Sequence, residues 1–280
     1  MKKLNTIIKT SLLVLLISFS SSCGRTTLIT TSSKVRTEIA KPLENVNDQK
    51  LIDYAQQLRE YARNGDLEAM QALVKRGAII DIKDDMWGQT ALMIASSEGH
   101  IEIVKFLVKE NATLDIKAND GWTALLFASL EGHGEIVKFL VERGALPDCR
   151  NMHGMTALMY VSLDGDIEAA RALINAGALF NIPSEISGST ALSCASLNGH
   201  IEVVKLLIEA GADSNIQTVY NITPLIQAAQ GGYSDIVKYL IENGADITIE
   251  NYDGDTALSL AIDEGHLDVV ELLKNAGARE

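Results

Sequence analysis

Apolar residues along this chain fall into short runs with helical spacing, cut by glycine at regular distances. Ile101, Val104 and Leu107 follow one another at three-residue steps, and Val203, Leu206 and Leu207 form a similar stripe. Such spacing predicts short amphipathic helices. Between the runs stand Thr90, Thr123, Thr156, Thr190, Thr223 and Thr256, separated by 33, 33, 34, 33 and 33 residues. Gly65, Gly99, Gly132, Gly165, Gly199, Gly232 and Gly265 keep the same step. So do Gly77, Asn111, Gly144, Gly177, Gly211, Gly244 and Gly277, each followed by alanine. Three series in phase identify a repeat protein.

Each recurring residue has a local task. The threonine hydroxyl can accept a hydrogen bond from an orphan N–H at the start of a helix. Pro224, directly after Thr223, suits the first helical position, where its missing donor is harmless. Gly99 and its equivalents are expected to end that first, inner helix, and Gly211 and its equivalents the second, outer one. Asn111 can stand in because asparagine tolerates left-handed backbone. A single unit cannot bury both faces of two short helices, so stability must accumulate through neighbours. The first unit, Leu51 to Gly77, lacks the threonine element and carries Gln56, Gln57, Arg59 and Glu60, as a polar cap would.

These motifs resemble ankyrin repeats, whose units read Gly-x-Thr-Pro-Leu-His, Gly-His-x-Glu-Val-Val and Gly-Ala-Asp. The chain has Gly88-Gln89-Thr90-Ala91-Leu92, Gly99-His100-Ile101-Glu102-Ile103-Val104 and Gly211-Ala212-Asp213. The resemblance implies an all-α fold, a solenoid of about seven helix-turn-helix units with β-hairpin fingers. The units are expected near 49–83, 84–117, 118–150, 151–183, 184–217, 218–250 and 251–280. One departure recurs: the family's histidine after Thr-Pro-Leu is Met93, Leu126, Met159, Ser193, Ile226 or Ser259, which removes a polar link.

The N-terminus differs from all this. Lys2 and Lys3 precede an apolar run from Leu12 to Phe19, then Ser20-Ser21-Ser22-Cys23. That order marks a secretory signal over 1–22, its apolar run too short to span a membrane. Cys23 resembles the lipobox cysteine of bacterial lipoproteins, although Ser20 replaces the usual leucine, and the resemblance implies acylation there. Residues 23–48, rich in Thr and Ser, read as a tether, and 49–280 as the repeat domain. Export to the bacterial cell envelope follows, with secretion as the alternative.

Net charge is −13, and loss of Lys2, Lys3 and Lys9 with the signal would make it −13 − 3 = −16. So acidic a chain repels nucleic acid and anionic lipid and attracts basic protein surfaces. Four of the histidines (His100, His133, His200, His266) share one repeat phase. About 10 Å between units is too far for shared metal ligation, so they read as structural. Ser96, Ser129, Ser162 and Ser196 also repeat, whereas a catalytic constellation must be unique. Cys149 and Cys194 give neither a disulfide framework nor a zinc spacing, and no cofactor or metal is expected.

In the ankyrin family partners are met by fingers and exposed inner-helix positions of the concave side. The resemblance therefore implies a monomeric, non-enzymatic scaffold for a protein partner, touching membrane only through its lipid anchor. The candidate anchors are Trp87, Trp122, Met155, Tyr220 and Tyr252 in the fingers, and Leu130, Leu163 and Leu197 on the inner helices. Glu131 and Asp164 supply an acidic rim, and the whole forms one apolar stripe. A regulatory or protective subunit of a periplasmic enzyme, or a secreted factor acting on host proteins, is the alternative role.

Overall fold

The computed structural model describes residues 46–279, with side chains from Lys50 onward. The signal, Cys23 and most of the expected tether lie outside these residues. The described residues hold fourteen helices in consecutive pairs and no strand. The pairs are α1 (Val46–Asn64) with α2 (Leu67–Lys75), α3 (Ala91–Ser97) with α4 (Ile101–Lys109), and α5 (Ala124–Leu130) with α6 (Gly134–Glu142). Next come α7 (Ala157–Asp164) with α8 (Ile167–Asn175), and α9 (Ala191–Asn198) with α10 (Ile201–Glu209). The last are α11 (Pro224–Gly231) with α12 (Ser234–Glu242), and α13 (Ala257–Glu264) with α14 (Leu267–Asn275). The first helix of each pair is inner and the second outer. α1 begins at Val46, inside the segment expected to be tether. Among the described residues no helix is long and apolar enough to cross a membrane.

Every inner helix packs on the inner helix of the next pair, and from α4 onward the outer helices do the same. Columns of equivalent residues carry this stacking. Leu107, Leu140, Leu173, Leu207, Leu240 and Leu273 of the outer helices are fully buried. On the inner helices Ala95, Ala128, Ala195, Ala228 and Ala261 are equally buried, beside Ser96, Ser129, Ser162 and Ser196. Small side chains here let neighbouring backbones approach. Truncating a column leucine to alanine would cost about 2–5 kcal/mol, the usual price of a core cavity.

Helix starts follow the threonine series as expected. Each of the six threonines sits in extended backbone, its hydroxyl accepting from the N–H three residues on, as Thr223 does from Ile226 at 3.2 Å. Pro224 takes the first helical position. Ser193 and Ser259, where the family pattern has histidine, close a capping box: each hydroxyl accepts from the threonine N–H at 2.9 Å. The polar link expected to be lost is thus replaced at these two units.

The phase-locked histidines turn out to be rivets between units. Nε2–H of His100, His133, His200 and His266 donates to the carbonyls of Arg63, Ser97, Leu163 and Gln230. These carbonyls lie in the last turn of the preceding inner helix, where no intrahelical donor remains. Each ring therefore satisfies the end of its neighbour's helix. The ring also fills the space over the closing glycine: a Cβ on Gly165 would lie 2.4 Å from His200 Nδ1. Gly165 is also left-handed, at φ +83°.

A second rivet runs along the other end of the outer helices. Carboxylates of Asp81, Asp115 and Asp148, then the side-chain carbonyls of Asn181 and Asn215, accept from the backbone N–H of Thr113, Leu146, Leu179, Asp213 and Asp246. Each acceptor belongs to one unit and each donor to the next. Two of the five are neutral amides, so geometry rather than charge is what the position selects.

The expected β-hairpin fingers are tight turns instead. A short closing bond, such as Ala118 N–H to Trp122 C=O at 2.8 Å, shuts each one. The extra residue of the 34-residue units is absorbed here: Asp84 closes on Gln89 and Ser184 on Ser189, one residue wider than the others. The arms are too short for a ladder, and the remaining backbone donor is spent on the neighbouring finger.

The glycine contacts yield a paired test. Gly144 is also left-handed, yet nothing lies within 4 Å of a Cβ built there. Gly144→Ala should therefore cost only the backbone strain, about 1–2 kcal/mol. Gly165→Ala adds displacement of the His200 ring and loss of its bond to Leu163, about 1 kcal/mol more. Urea unfolding of both variants checks this, and equal midpoints would show that the ring does not pack on Gly165.

Candidate functional site

Four of the six fingers owe their shape to one side chain each, whereas the turn opening at Ala118 has no such side chain and that opening at Ser184 uses several serine hydroxyls. Asn151 Oδ1 accepts from the N–H groups of His153 and Met155, Thr218 Oγ1 from Tyr220 and Ile222, and Asn251 Oδ1 from Asp253 and Asp255. In the wider first finger Asp84 takes Met86, Trp87 and Gln89. Partial burial would push the Asp84 carboxyl up, but these three donors and the Arg59 charge outweigh it and hold it below the usual range. Short polar side chains that bind their own backbone are the general device for such turns.

Successive fingers are then tied by their backbones. The N–H groups of Asn119, Met152, Glu185, Val219 and Tyr252 donate to the carbonyls of Trp87, Asp120, His153, Ser187 and Tyr220, at 2.8–3.2 Å. Pinned at the backbone, the tips present large apolar side chains to solvent. Met86 is 74% exposed, Trp87 53%, Tyr220 63% and Tyr252 72%, with Met152, Ile186 and Val219 also exposed.

The candidate anchors divide into two layers rather than one stripe. Trp87, Tyr220 and Tyr252 are exposed, and the last two occupy adjacent, hydrogen-bonded fingers. Trp122 is half-buried: its ring stacks on Phe127 at 5.0 Å and on Tyr160 at 5.4 Å between centroids. The Tyr160 hydroxyl accepts from Asn151 Nδ2 at 2.8 Å, and burial pushes its pKa to about 12. Met155, Leu130 and Leu163 are likewise half-buried against the core, and Leu197 is half-buried at the same phase. Glu131 and Asp164 are exposed. The sequence could not separate the layers, because the Trp122 stack joins residues of two units across the finger and helix.

Several further polar groups lie within the stack. Burial pushes the Cys194 thiol up to about 12 and raises Cys149, so neither is a ready thiolate, and both cysteines are free. Ser129 donates to the Leu125 carbonyl of its own helix, and the hydroxyls of Ser96, Ser162 and Ser196 are buried without a hydrogen-bond partner among the described residues. Burial raises the Asp120 carboxyl against hydrogen bonds from its own N–H and that of Trp122 and the charge of His153. Among the described residues no group of His, Cys, Asp and Glu is arranged to hold a metal ion. Sequence reading missed the Asp81–Asn215 series, although its period was there to be seen. It also missed exposed Ile79, Leu146 and Leu179, which stand where the family pattern has aspartate.

Comparison with known proteins agrees with this architecture. Curated relatives include the Ankyrin repeat and KH domain-containing protein mask-1 of Caenorhabditis elegans, 36% identical over 23% of this chain and 2% of that protein. The Ankyrin repeat and SAM domain-containing protein 6 of Mus musculus is 39% identical over 25% of the chain and 8% of that protein. The match thus spans a small part of both these relatives. An ankyrin repeat protein of Rickettsia felis is 44% identical over 22% of this chain and 92% of its own length. The family model for ankyrin repeats (3 copies) matches residues 58–151, 145–218 and 213–279. With the capped inner helices, left-handed glycines and stacked pairs already described, these matches show that the chain belongs to the ankyrin repeat family.

Proposed function

We propose that this chain is an exported, membrane-tethered scaffold that binds a partner protein through its fingers and the exposed side of its inner helices. Ankyrin repeats are protein–protein interaction modules. The observation that carries the reading here is the set of exposed tips, Met86, Trp87, Tyr220 and Tyr252, on turns fixed by backbone bonds. Large apolar side chains held rigidly in solvent lose little entropy on docking, and Trp and Tyr are favoured anchors. The half-buried layer of Trp122, Met155, Leu130, Leu163 and Leu197 would form the floor, with Glu131 and Asp164 at the rim. A protein of net charge −13 favours a partner with a basic surface. Acylation of Cys23 would place the stack at the bacterial cell envelope. A monomer would suit this role.

Two experiments test the two halves of this reading. Crosslinking capture from the native envelope should be lost, about tenfold or more, in a Trp87→Ala/Tyr252→Ala chain whose thermal unfolding matches wild type. Trp122→Ala should instead lower stability by about 1–3 kcal/mol, since it removes a stacked and partly buried ring. Capture undiminished by the fingertip pair would refute the docking face. For the anchor, labelled fatty acid should enter the wild-type chain and not Cys23→Ser; a wild-type chain without label would refute tethering by acylation.

A further inference from the structure

We propose that the docking face takes an extended, polyproline II-type segment bearing Lys or Arg at every third residue. This rests on the protein-binding reading and specifies its partner. The argument begins with where charge is absent. No Lys or Arg occurs in any inner helix from α3 to α13, or in any finger turn, although outer helices carry Lys105, Lys138, Arg171, Lys205 and Lys238. Lys83, Lys117 and Arg150 stand one residue before the first three fingers, outside the helix ends considered next.

Glu98, Glu131 and Asp164 occupy one repeat phase in three consecutive units, 33 residues apart. All three are exposed, at the C-terminal ends of α3, α5 and α7. The ion pairs of Lys105 with Glu102 and Glu135, and of Lys205 with Glu202, all lie on outer helices, and among the described residues none engages these three carboxylates. A carboxylate at a helix C-terminus adds to the negative end of the helix dipole, so each costs its own helix stability. Cations from a partner would relieve that cost three times over.

The spacing chooses the shape of the partner. Stacked helices lie about 10 Å apart. A polyproline II chain has three residues per turn and rises about 3.1 Å per residue, so the same face returns about every 9.3 Å. Each third side chain then meets a carboxylate of the next unit. A β-strand alternates faces with period 2 and cannot place every third residue on one side. Half-buried Leu130 and Leu163, each one residue before a carboxylate, and Leu197 one unit further on, give the prolines or other apolar residues a surface to rest on.

The probe is a fluorescent (Lys-Pro-Pro)4 peptide, titrated against the full chain at low ionic strength. An isomer with its four lysines contiguous keeps composition and net charge but loses the register. The regular peptide should bind about tenfold tighter than the isomer, and a Glu98→Gln/Glu131→Gln/Asp164→Asn chain should lose that preference. This triple variant should melt at or above wild type, because it removes carboxylates that oppose the dipole. Equal binding of both peptides, or a preference that survives the triple substitution, overturns the inference. So does undiminished capture of the envelope partner by the triple variant, which would leave the protein-binding reading standing. Absence of any capture by wild type would instead remove the reading beneath.

Discussion

Everything in this chain depends on one unit shielding the next. A pair of helices of seven to nine residues is below the length at which helices persist alone in water. Its leucine and alanine columns are buried only because a neighbour covers them. Three polar devices then fix the register of that contact: the histidine to the helix-end carbonyl, the Asp or Asn to the next unit's backbone, and the finger-to-finger bond. Apolar packing supplies most of the stabilisation but tolerates sliding. Hydrogen bonds with defined partners do not, and each satisfies a backbone group that the short helices or turns would leave exposed.

What was legible in the sequence was whatever repeats. The threonine caps, the left-handed glycines and Asn111 could each be placed from phase alone, because each acts on backbone within a few residues of itself. The histidines were correctly taken as structural, but their partners were not foreseen: the accepting carbonyl lies 36 or 37 residues earlier, and a carbonyl leaves no trace in a sequence. The same holds for the fingers. A hairpin is suggested by turn residues, but only the stacked arrangement shows that the second donor goes to a neighbouring finger.

The candidate site was legible at the level of phase and not of depth. Trp87 and Trp122 occupy similar stretches of the repeat, yet one projects into solvent and the other lies against Phe127 and Tyr160. Trp87 stands inside its turn, three residues before Thr90, whereas Trp122 closes its own turn with its carbonyl and directly precedes the cap Thr123, which brings its ring against Phe127 and Tyr160.

The constraint that builds the stack also says where specificity can reside. Positions that touch a neighbouring unit are nearly uniform along the chain: threonine at the cap, leucine two residues on, and small residues in the next turn. The second residue of the finger is not uniform. It is Asn119, Met152, Glu185, Val219 or Tyr252, though every one makes the same backbone bond. Because the backbone alone does the structural work there, the side chain is released from it, and its identity can be set by a binding surface. The last turn of the inner helix behaves likewise, with glutamate, aspartate, asparagine or glycine outside the buried columns. Uniform columns and variable tips are two consequences of one architecture. The first makes the units interchangeable as structure, and the second lets each contribute a different contact to one rigid face.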